Sequence, residues 1–456
     1  MKNNLKKLLC AALSTAMIAG SIILPMTASA ETTPIFDGDT VEQEWKFDFG
    51  AAGTDAEDGY TLVTPDTNYV TNKEYGFLGI DVDSYKLGNR LDGFGNQKGQ
   101  AIKLKAGGGT GLNDAIGSVG EDSFGNAGDV YYPTRFALKA DDEAYYRVRA
   151  TVTTLDTTKD AEISLYTERK HPIFTDTKVE AGQTKTVEFS VRPTPIYYEK
   201  SEPKGTIADG MVNVCVAGKN SAIASIEIQK VQEYPVFWVL GDSTVTDGNC
   251  SLPFFRLQNY TGVGTGLTKY LPRNYAMVNE GEGGLNAADN YHFNMVKDRI
   301  KAGDYLYVEY GHNHKSDGPT GYVSNLDKYY NACHSVGATL VIVSPIERIN
   351  TFTDGAYQHT LDGFATAGAQ YVADKVTAGA TDIAYVDLNS YSLDFYNKIT
   401  TDNGGDSGAI KFYFQTAKGG GTDQTHPNDA GAENLAYEFV KAAKAVTDET
   451  QKAALA

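Results

Sequence analysis

The run Val236–Leu240, closed by Gly241-Asp242-Ser243-Thr244, constrains this chain more than any other stretch. Five consecutive apolar residues with β-branched and aromatic members predict a strand buried on both faces, as in parallel sheets covered by helices. A small hydroxyl residue stands where the strand stops. In open α/β sheets ligands bind at the carboxyl ends of the strands, so Ser243 is a candidate nucleophile. The same position suits a serine that only caps the following helix. The tetrapeptide by itself does not separate the two.

Past Pro235, apolar runs of strand length alternate with amphipathic segments: YAMV near 277, YLYVEY from Tyr305, TLVIVSP from Thr339 and IAYVDL from Ile383. Gly321–Gly337, LDGFATAGAQYVADKVTA and NDAGAENLAYEFVKAAKAV read as helices. This pattern predicts a parallel sheet within helical layers. Three more features fall at or near strand ends. Asn279-Glu280-Gly281-Glu282-Gly283-Gly284 is a glycine-rich turn whose backbone N–H groups are free to face a ligand. Gly311-His312-Asn313-His314 brings amide and imidazole groups to the same level. Asp423-Gln424-Thr425-His426 precedes the last long helical segment, after a loose loop from Asn403 to Gly421. An Asp three residues ahead of a His on a tight turn can hold one imidazole nitrogen while the other faces outward, as a general base requires. Each feature alone also reads as ordinary turn chemistry. Four of them in this order at successive strand ends do not.

The first half of the chain has a different period. From about Phe36 to Val231 the apolar residues alternate, as in Tyr146, Val148, Ala150 and Val152, in Val187, Phe189 and Val191, and in Val212, Val214 and Val216. Half-buried strands joined by turns such as Ala181-Gly182-Gln183 predict a β-sandwich or jelly roll. No helical period is convincing here. Leu87–Gly125 and Pro193–Pro203, the latter with Tyr197 and Tyr198, read as surface loops able to hold sugars or simply to connect. Their Gly/Asp content permits calcium, but no ligand spacing indicates a metal.

The N-terminus carries Lys2, Lys6 and Lys7, an apolar segment from Leu8 to Leu24, and Ala28-Ser29-Ala30, the pattern of a secretory signal peptide over residues 1–30. Two domains follow, 31–232 and 233–456, and the product is expected outside the cell. Cys10 leaves with the leader. Cys215, Cys250 and Cys333 are too few and scattered for a disulfide framework and read as buried thiols. A formal charge of -18 over 456 residues disfavours nucleic acid and anionic membrane surfaces as partners. A polyanionic substrate would need a local basic patch.

GDSTV (Gly241–Val245), the Asn279–Gly284 turn, GHN (Gly311–Asn313), SPIER (Ser344–Arg348) and DQTHPNDAGA (Asp423–Ala432) together resemble the SGNH, or GDSL-type, hydrolase superfamily. Within it the chain is most similar to the rhamnogalacturonan acetylesterase group, carbohydrate esterase family 12. WKFDFG (Trp45–Gly50), GYTLV and YGFLG resemble the accessory β-domain found ahead of such esterases. The resemblance implies a galactose-binding-like β-domain and a three-layer α/β/α flavodoxin-like SGNH hydrolase domain. It implies Ser243 as nucleophile, His426 as base and Asp423 as its orienting carboxylate. The backbone N–H groups of Ser243 and Gly284 and the amide of Asn313 would form the oxyanion hole, with no cofactor and no metal. Asp242 reads as bracing the turn. Two departures are His314, where relatives carry aspartate, and Leu285-Asn286, where they carry Arg-Ser. The insertion Ser251–Tyr270 would wall the site with Phe254, Phe255 and Tyr260, and Asn403–Gly421 would wall another side.

The implied activity is release of acetate from acetylated polysaccharide or oligosaccharide, pectin or rhamnogalacturonan first and xylan second. The alternatives are a lipase or thioesterase of the same superfamily, and a catalytically decayed carbohydrate-binding module. The first is disfavoured by the missing apolar lid, the second by the intact Ser243, Asp423 and His426.

Overall fold

The computed structural model describes residues 33–72, 74–78, 104–118, 130–131, 134–168, 170–198, 205–207, 210–247, 254–255, 260–416 and 421–456. The leader, Cys10, Cys250 and much of the Leu87–Gly125 segment lie outside the described residues. Before Val231 the chain forms two sheets. The larger is ordered Thr184–Val191, Tyr145–Thr154, Ser221–Val231, Val41–Phe49, Thr61–Val63, and the smaller His171–Val179, Ala161–Thr167, Met211–Lys219, Thr134–Lys139, Tyr75–Phe77. Among their described strands only Val41–Phe49 and Thr61–Val63 run parallel.

Alternation turns Val148, Ala150 and Val152 of one sheet and Val212, Val214 and Val216 of the other into a single core. Phe136 of the smaller sheet meets Phe47 and Phe49 of the larger at ring distances of 4.8 and 5.1 Å. The two sheets are thus layers of a sandwich. The expectation of half-buried strands fails for Ser221–Val231, which is buried on both faces over most of its length. The glycine-rich stretch read as a loop instead forms strands Leu104–Gly108 and Asp114–Ser118, and Ala115 with Leu155 covers Ala222 and Ala224. Likewise Ile196–Tyr198, inside the second expected loop, pairs with Gly205–Ile207. A short helix, Tyr69–Asn72, also stands where none was expected.

After Val236 the sheet is wholly parallel, ordered Ala276–Asn279, Val236–Gly241, Tyr305–Glu309, Thr339–Val343, Ile383–Val386. Numbered along the chain this is the order 2-1-3-4-5 of flavodoxin-like folds. One face places Trp238, Leu240, Val308 and Ile342 against Phe293, Tyr329 and Val372 of three helices. The other places Val239, Tyr307, Val341 and Val343 against Val263, Leu393 and Leu435. Strand order reverses between Val236–Gly241 and Tyr305–Glu309. A crevice therefore opens beyond Gly241 and Glu309.

Two local expectations are corrected. Gly321–Gly337 is not one helix but belongs to two, Gly318–Val323 and Leu326–Val336. Ser324 and Asn325 both donate side-chain hydrogen bonds to the Gly321 carbonyl, at 2.8 and 2.7 Å, competing with the helical ladder. Asn403–Gly421 is not wholly a loop, since it carries a 3₁₀ turn, Ala409–Tyr413, and a strand, Phe414–Thr416, paired with Thr422–Pro427.

The antiparallel and parallel regions pack closely, and residues 34–456 form one unit. Arg147 donates to the Asn274 carbonyl at 2.8 Å and lies over the Tyr234 ring. Arg192 and Arg299, one from each region, lie over Trp238, and both pair with Glu143 at 2.7 Å. Phe254–Phe255 pairs with Val130–Tyr131, which ties the Ser251–Tyr270 insertion to the antiparallel region.

Candidate active site

The turn that carries Ser243 begins where the central strand ends. At Gly241 a Cβ would lie 2.6 Å from Val245 Cγ2 and 2.7 Å from the Glu309 carbonyl oxygen, so only glycine fits. Asp242 is fully buried and accepts from the backbone N–H of Thr244 at 3.0 Å and its hydroxyl at 2.9 Å. It braces the turn. Ser243, by contrast, is partly exposed. Its carbonyl accepts a hydrogen bond from the Tyr260 hydroxyl.

Ser243 and His426 are 183 residues apart in the chain, yet Ser243 Oγ lies 2.9 Å from His426 Nε2. His426 Nδ1 lies 3.0 Å from Asp423 Oδ2. The other carboxylate oxygen of Asp423 accepts from the backbone N–H groups of Thr425 and His426, at 2.7 and 2.9 Å. Burial pushes the Asp423 carboxyl upward, but the His426 side chain and these backbone donors outweigh it and hold it below the ordinary carboxylate range. An ionised Asp423 fixes the Nδ1–H tautomer, leaving Nε2 to accept the serine proton. The Tyr260 ring stands edge-on to the imidazole, 5.1 Å between centroids.

The three donors expected for an oxyanion hole are placed as follows. The N–H groups of Ser243 and Gly284 donate to no acceptor among the described residues. Gly284 is exposed with φ +75, a left-handed conformation that glycine adopts without strain. Its turn is knitted to the central strand by hydrogen bonds from Glu280 N–H to Val239 and from Glu282 N–H to Gly241, at 2.9 and 3.1 Å. Asn313 Nδ2 donates to the Leu285 carbonyl at 2.9 Å, and an amide keeps a second N–H for a ligand. His314 and Leu285-Asn286, where the sequence departs from the pattern it resembles, meet here. His314 accepts from the Ala287 N–H at 2.9 Å and holds Asp317 at 3.0 Å, bracing the turn of Leu285 and Asn286 against the Asn313 loop.

Glu309 carried no sequence signal, and His312 and Arg348 stood in the GHN and SPIER motifs with no role read for them. Glu309 is fully buried below the nucleophile turn, bonded by the Tyr307 hydroxyl, the Ile346 N–H at 3.3 Å and the Thr244 hydroxyl at 3.4 Å. Burial, reinforced by the charge of Asp242, pushes its carboxyl up to about 8. His312 is buried, which holds its imidazole down at about 4, so the ring is neutral. Arg348 Nε donates to His312 Nδ1 and Nη2 to the His312 carbonyl, both at 3.2 Å. Those neutral contacts leave the guanidinium charge facing a concavity of about 210 Å³, lined also by His314, Lys315, Thr360 and Phe364. Gln415 adds a hydrogen bond to Asp423 at 3.3 Å.

Of the expected walls, Tyr260 lies against His426, while the side chains of Phe254 and Phe255 lie outside the described set. Cys215 and Cys333 are buried free thiols. Among the described residues no three His, Cys, Asp or Glu converge as metal ligands, and no helix is long and apolar enough to cross a membrane.

No family model matches the chain, and no curated protein sequence does. Solved structures similar to it include the protein YxiM from Bacillus subtilis, 19% identical, with 88% of this chain and 98% of that one covered and a TM-score of 0.41. An acetyl xylan esterase from Geobacillus stearothermophilus is 14% identical, with 45% and 93% covered and a TM-score of 0.32. A Clostridium thermocellum family 3 carbohydrate esterase is 11% identical, with 46% and 96% covered and a TM-score of 0.30.

Proposed function

We propose that the chain is a secreted serine esterase that removes O-acetyl groups from plant cell-wall polysaccharide, with pectin or rhamnogalacturonan preferred over xylan. The observation that carries this is the continuous Ser243–His426–Asp423 hydrogen-bonded relay at the mouth of a parallel-sheet crevice. His426 Nε2 takes the Ser243 proton as Oγ attacks the ester carbonyl, and the imidazolium that forms is stabilised by Asp423. The carbonyl oxygen becomes an oxyanion facing the N–H groups of Ser243 and Gly284 and the free amide N–H of Asn313. His426 then returns the proton to the departing sugar oxygen. In the second half, water gives a proton to His426 as it attacks the acyl carbon, and the intermediate collapses to acetate as His426 returns that proton to the departing Ser243 Oγ.

A pectic substrate is favoured by the concavity beside Asn313. Arg348 and Lys315 offer positive charge there in a chain of net charge -18. A uronate carboxylate would use that charge and neutral xylan would not. The test is acetate release from acetylated pectin, rhamnogalacturonan, xylan and mannan, with a chromogenic acetate ester as control. Equal background rates for wild type and Ser243→Ala would end the serine-esterase assignment. Faster cleavage of longer acyl esters would turn it toward a lipase.

A further inference from the structure

We propose that Lys170 and His171, on a hairpin of the antiparallel region, are positioning residues for the catalytic groups of the parallel region. The hairpin joins Ala161–Thr167 to His171–Val179, the edge strand of the smaller sheet. Glu168 and Lys170 adopt φ 47 and 68, a conformation that disfavours residues other than glycine. It delivers two adjacent side chains, 2% and 5% exposed, into the parallel region.

His171 Nε2 lies 2.8 Å from Asp247 Oδ1, four residues past the nucleophile. The same oxygen accepts from Asn279 Nδ2 at 2.8 Å and from the Thr265 hydroxyl at 3.2 Å. Asn279 Nδ2 also reaches the Val245 carbonyl at 2.9 Å, and its Oδ1 accepts the Gly281 N–H at 2.9 Å. An unbroken series of hydrogen bonds thus runs from His171 through Asp247 and Asn279 to Gly281. It joins the turn of Ser243 to the turn of Gly284, which together carry the two backbone oxyanion donors. Their spacing is what His171 sets.

Lys170 acts on the other reacting group. Its Nζ lies 2.5 Å from Asp429 Oδ1 and 3.2 Å from Thr261 Oγ1, and the Thr261 hydroxyl also donates to Asp429. Asp429 opens the helix that begins three residues after His426. Thr261 N–H bonds the Pro427 carbonyl at 3.1 Å, and Tyr260 bridges Asn428. The ammonium therefore clamps both segments that flank the imidazole. Buried ion pairs add little net stability but fix geometry by leaving few alternatives. Here the Lys170–Asp429 pair and the His171–Asp247 hydrogen bond fall on the loops that bear the reacting atoms.

The roles rest on the serine-esterase assignment, and the experiment separates the two. Steady-state hydrolysis of p-nitrophenyl acetate is measured for wild type, Ser243→Ala, His171→Leu, His171→Gln, Lys170→Met and Thr175→Val. His171→Leu and Lys170→Met are expected to lower kcat by about 10- to 100-fold with KM within about twofold, the scale of an ångström-level misplacement. His171→Gln, which keeps a donor toward Asp247, is expected to recover most of the rate. Thr175→Val removes another contact between the same strand and the last long helix, to Glu433 at 2.7 Å, without touching either series. It should lower Tm and leave kcat intact. Should His171→Leu fail to fold, Asp247→Asn reads out the same kcat loss. Wild-type kcat in folded Lys170 and His171 variants, or a kcat loss in Thr175→Val that tracks its Tm, overturns the positioning role. If Ser243→Ala remains as active as wild type, the esterase assignment falls and this inference with it. If Ser243→Ala is dead while His171→Leu and Lys170→Met are fully active, the positioning role alone falls.

Discussion

The antiparallel and parallel regions treat charge in opposite ways. Away from the junction, the sandwich keeps its ion pairs in ladders open to solvent, as where Arg149 meets Glu188 and Glu227 at 2.8 Å with its side chain 31% exposed. The parallel region instead buries Asp242, Glu280, Glu309 and Glu347 completely, at or just past the carboxyl ends of its strands. A buried carboxylate is costly to desolvate unless hydrogen bonds compensate, and replacing it with a hydrocarbon is often harmless or stabilising. Four of them at one sheet edge therefore mark a place constrained by something other than stability. Asp423 and His426 lie at that same edge. In the described sandwich Arg147, Arg192, Lys170 and His171 are buried at the junction and reach toward the parallel region, while Asp48 and Arg135 are buried among its own strands.

The comparison breaks first at Ser243. Ser243→Ala should lower kcat for an acetate ester by about 10⁶-fold. Arg149→Met should leave kcat unchanged and move stability by about 1 kcal/mol or less, since exposed pairs contribute little. A purified Ser243→Ala protein with measurable wild-type turnover would show that the edge of buried charge serves another purpose.

Within the edge the effects should grade. Asp423→Asn keeps shape but removes the acceptor that fixes the imidazole tautomer, and kcat should fall by about 10⁴-fold. Asn313→Ala removes an amide proposed as one of three oxyanion donors and should cost about 10² to 10³ in kcat. Single-turnover rates of acyl-enzyme formation measured on both variants check that order. If Asn313→Ala proves the more damaging, the bond from its amide to Leu285 is holding the turn as well as the oxyanion.

The sequence marked the relay in two ways: Ser243 follows an apolar run closed by glycine, and Asp423 with His426 shows the Asp-x-x-His spacing ahead of a helix, though the pair lies within the strand Thr422–Pro427. The hydrogen-bonded series Ser243–His426–Asp423 joins residues marked in this way, and Asp242 holds its own turn as read; Gly284 and Asn313 are oxyanion donors by proposal. Glu309 was not marked, because the fifth residue of a strand reads as a place in the register and only the packing reveals that its carboxyl is sealed beneath Thr244. His171 and Lys170 were invisible for a different reason. A hairpin in an antiparallel region carries no local mark of what it touches 76 or 258 residues away, as Asp247 lies from His171 and Glu433 from Thr175. The glycine-rich strands Leu104–Gly108 and Asp114–Ser118 were read as loop because glycine composition outweighed a pairing that only Ser221–Val231 could reveal.

The smallest effect, and the sharpest for the contrast between regions, belongs to Glu309. Its carboxyl titrates near 8 when folded, against an ordinary value of 4.5 for an exposed glutamate. Between those values the unfolded chain has released a proton that the folded chain retains, so this group's contribution to stability is full below about 4.5 and is lost as pH rises toward 8. Glu309→Gln cannot ionise, and its side-chain oxygen can still accept the Ile346 N–H. The variant should match wild type near pH 5 and exceed its Tm by a few degrees near pH 8, with kcat little changed because Glu309 reaches Ser243 only through Thr244. Thermal unfolding across pH 5 to 8.5 reads this directly. Parallel Tm curves for the two proteins would mean that Glu309 is ionised throughout, and that the buried carboxyl beneath Thr244 carries its charge without loss of stability.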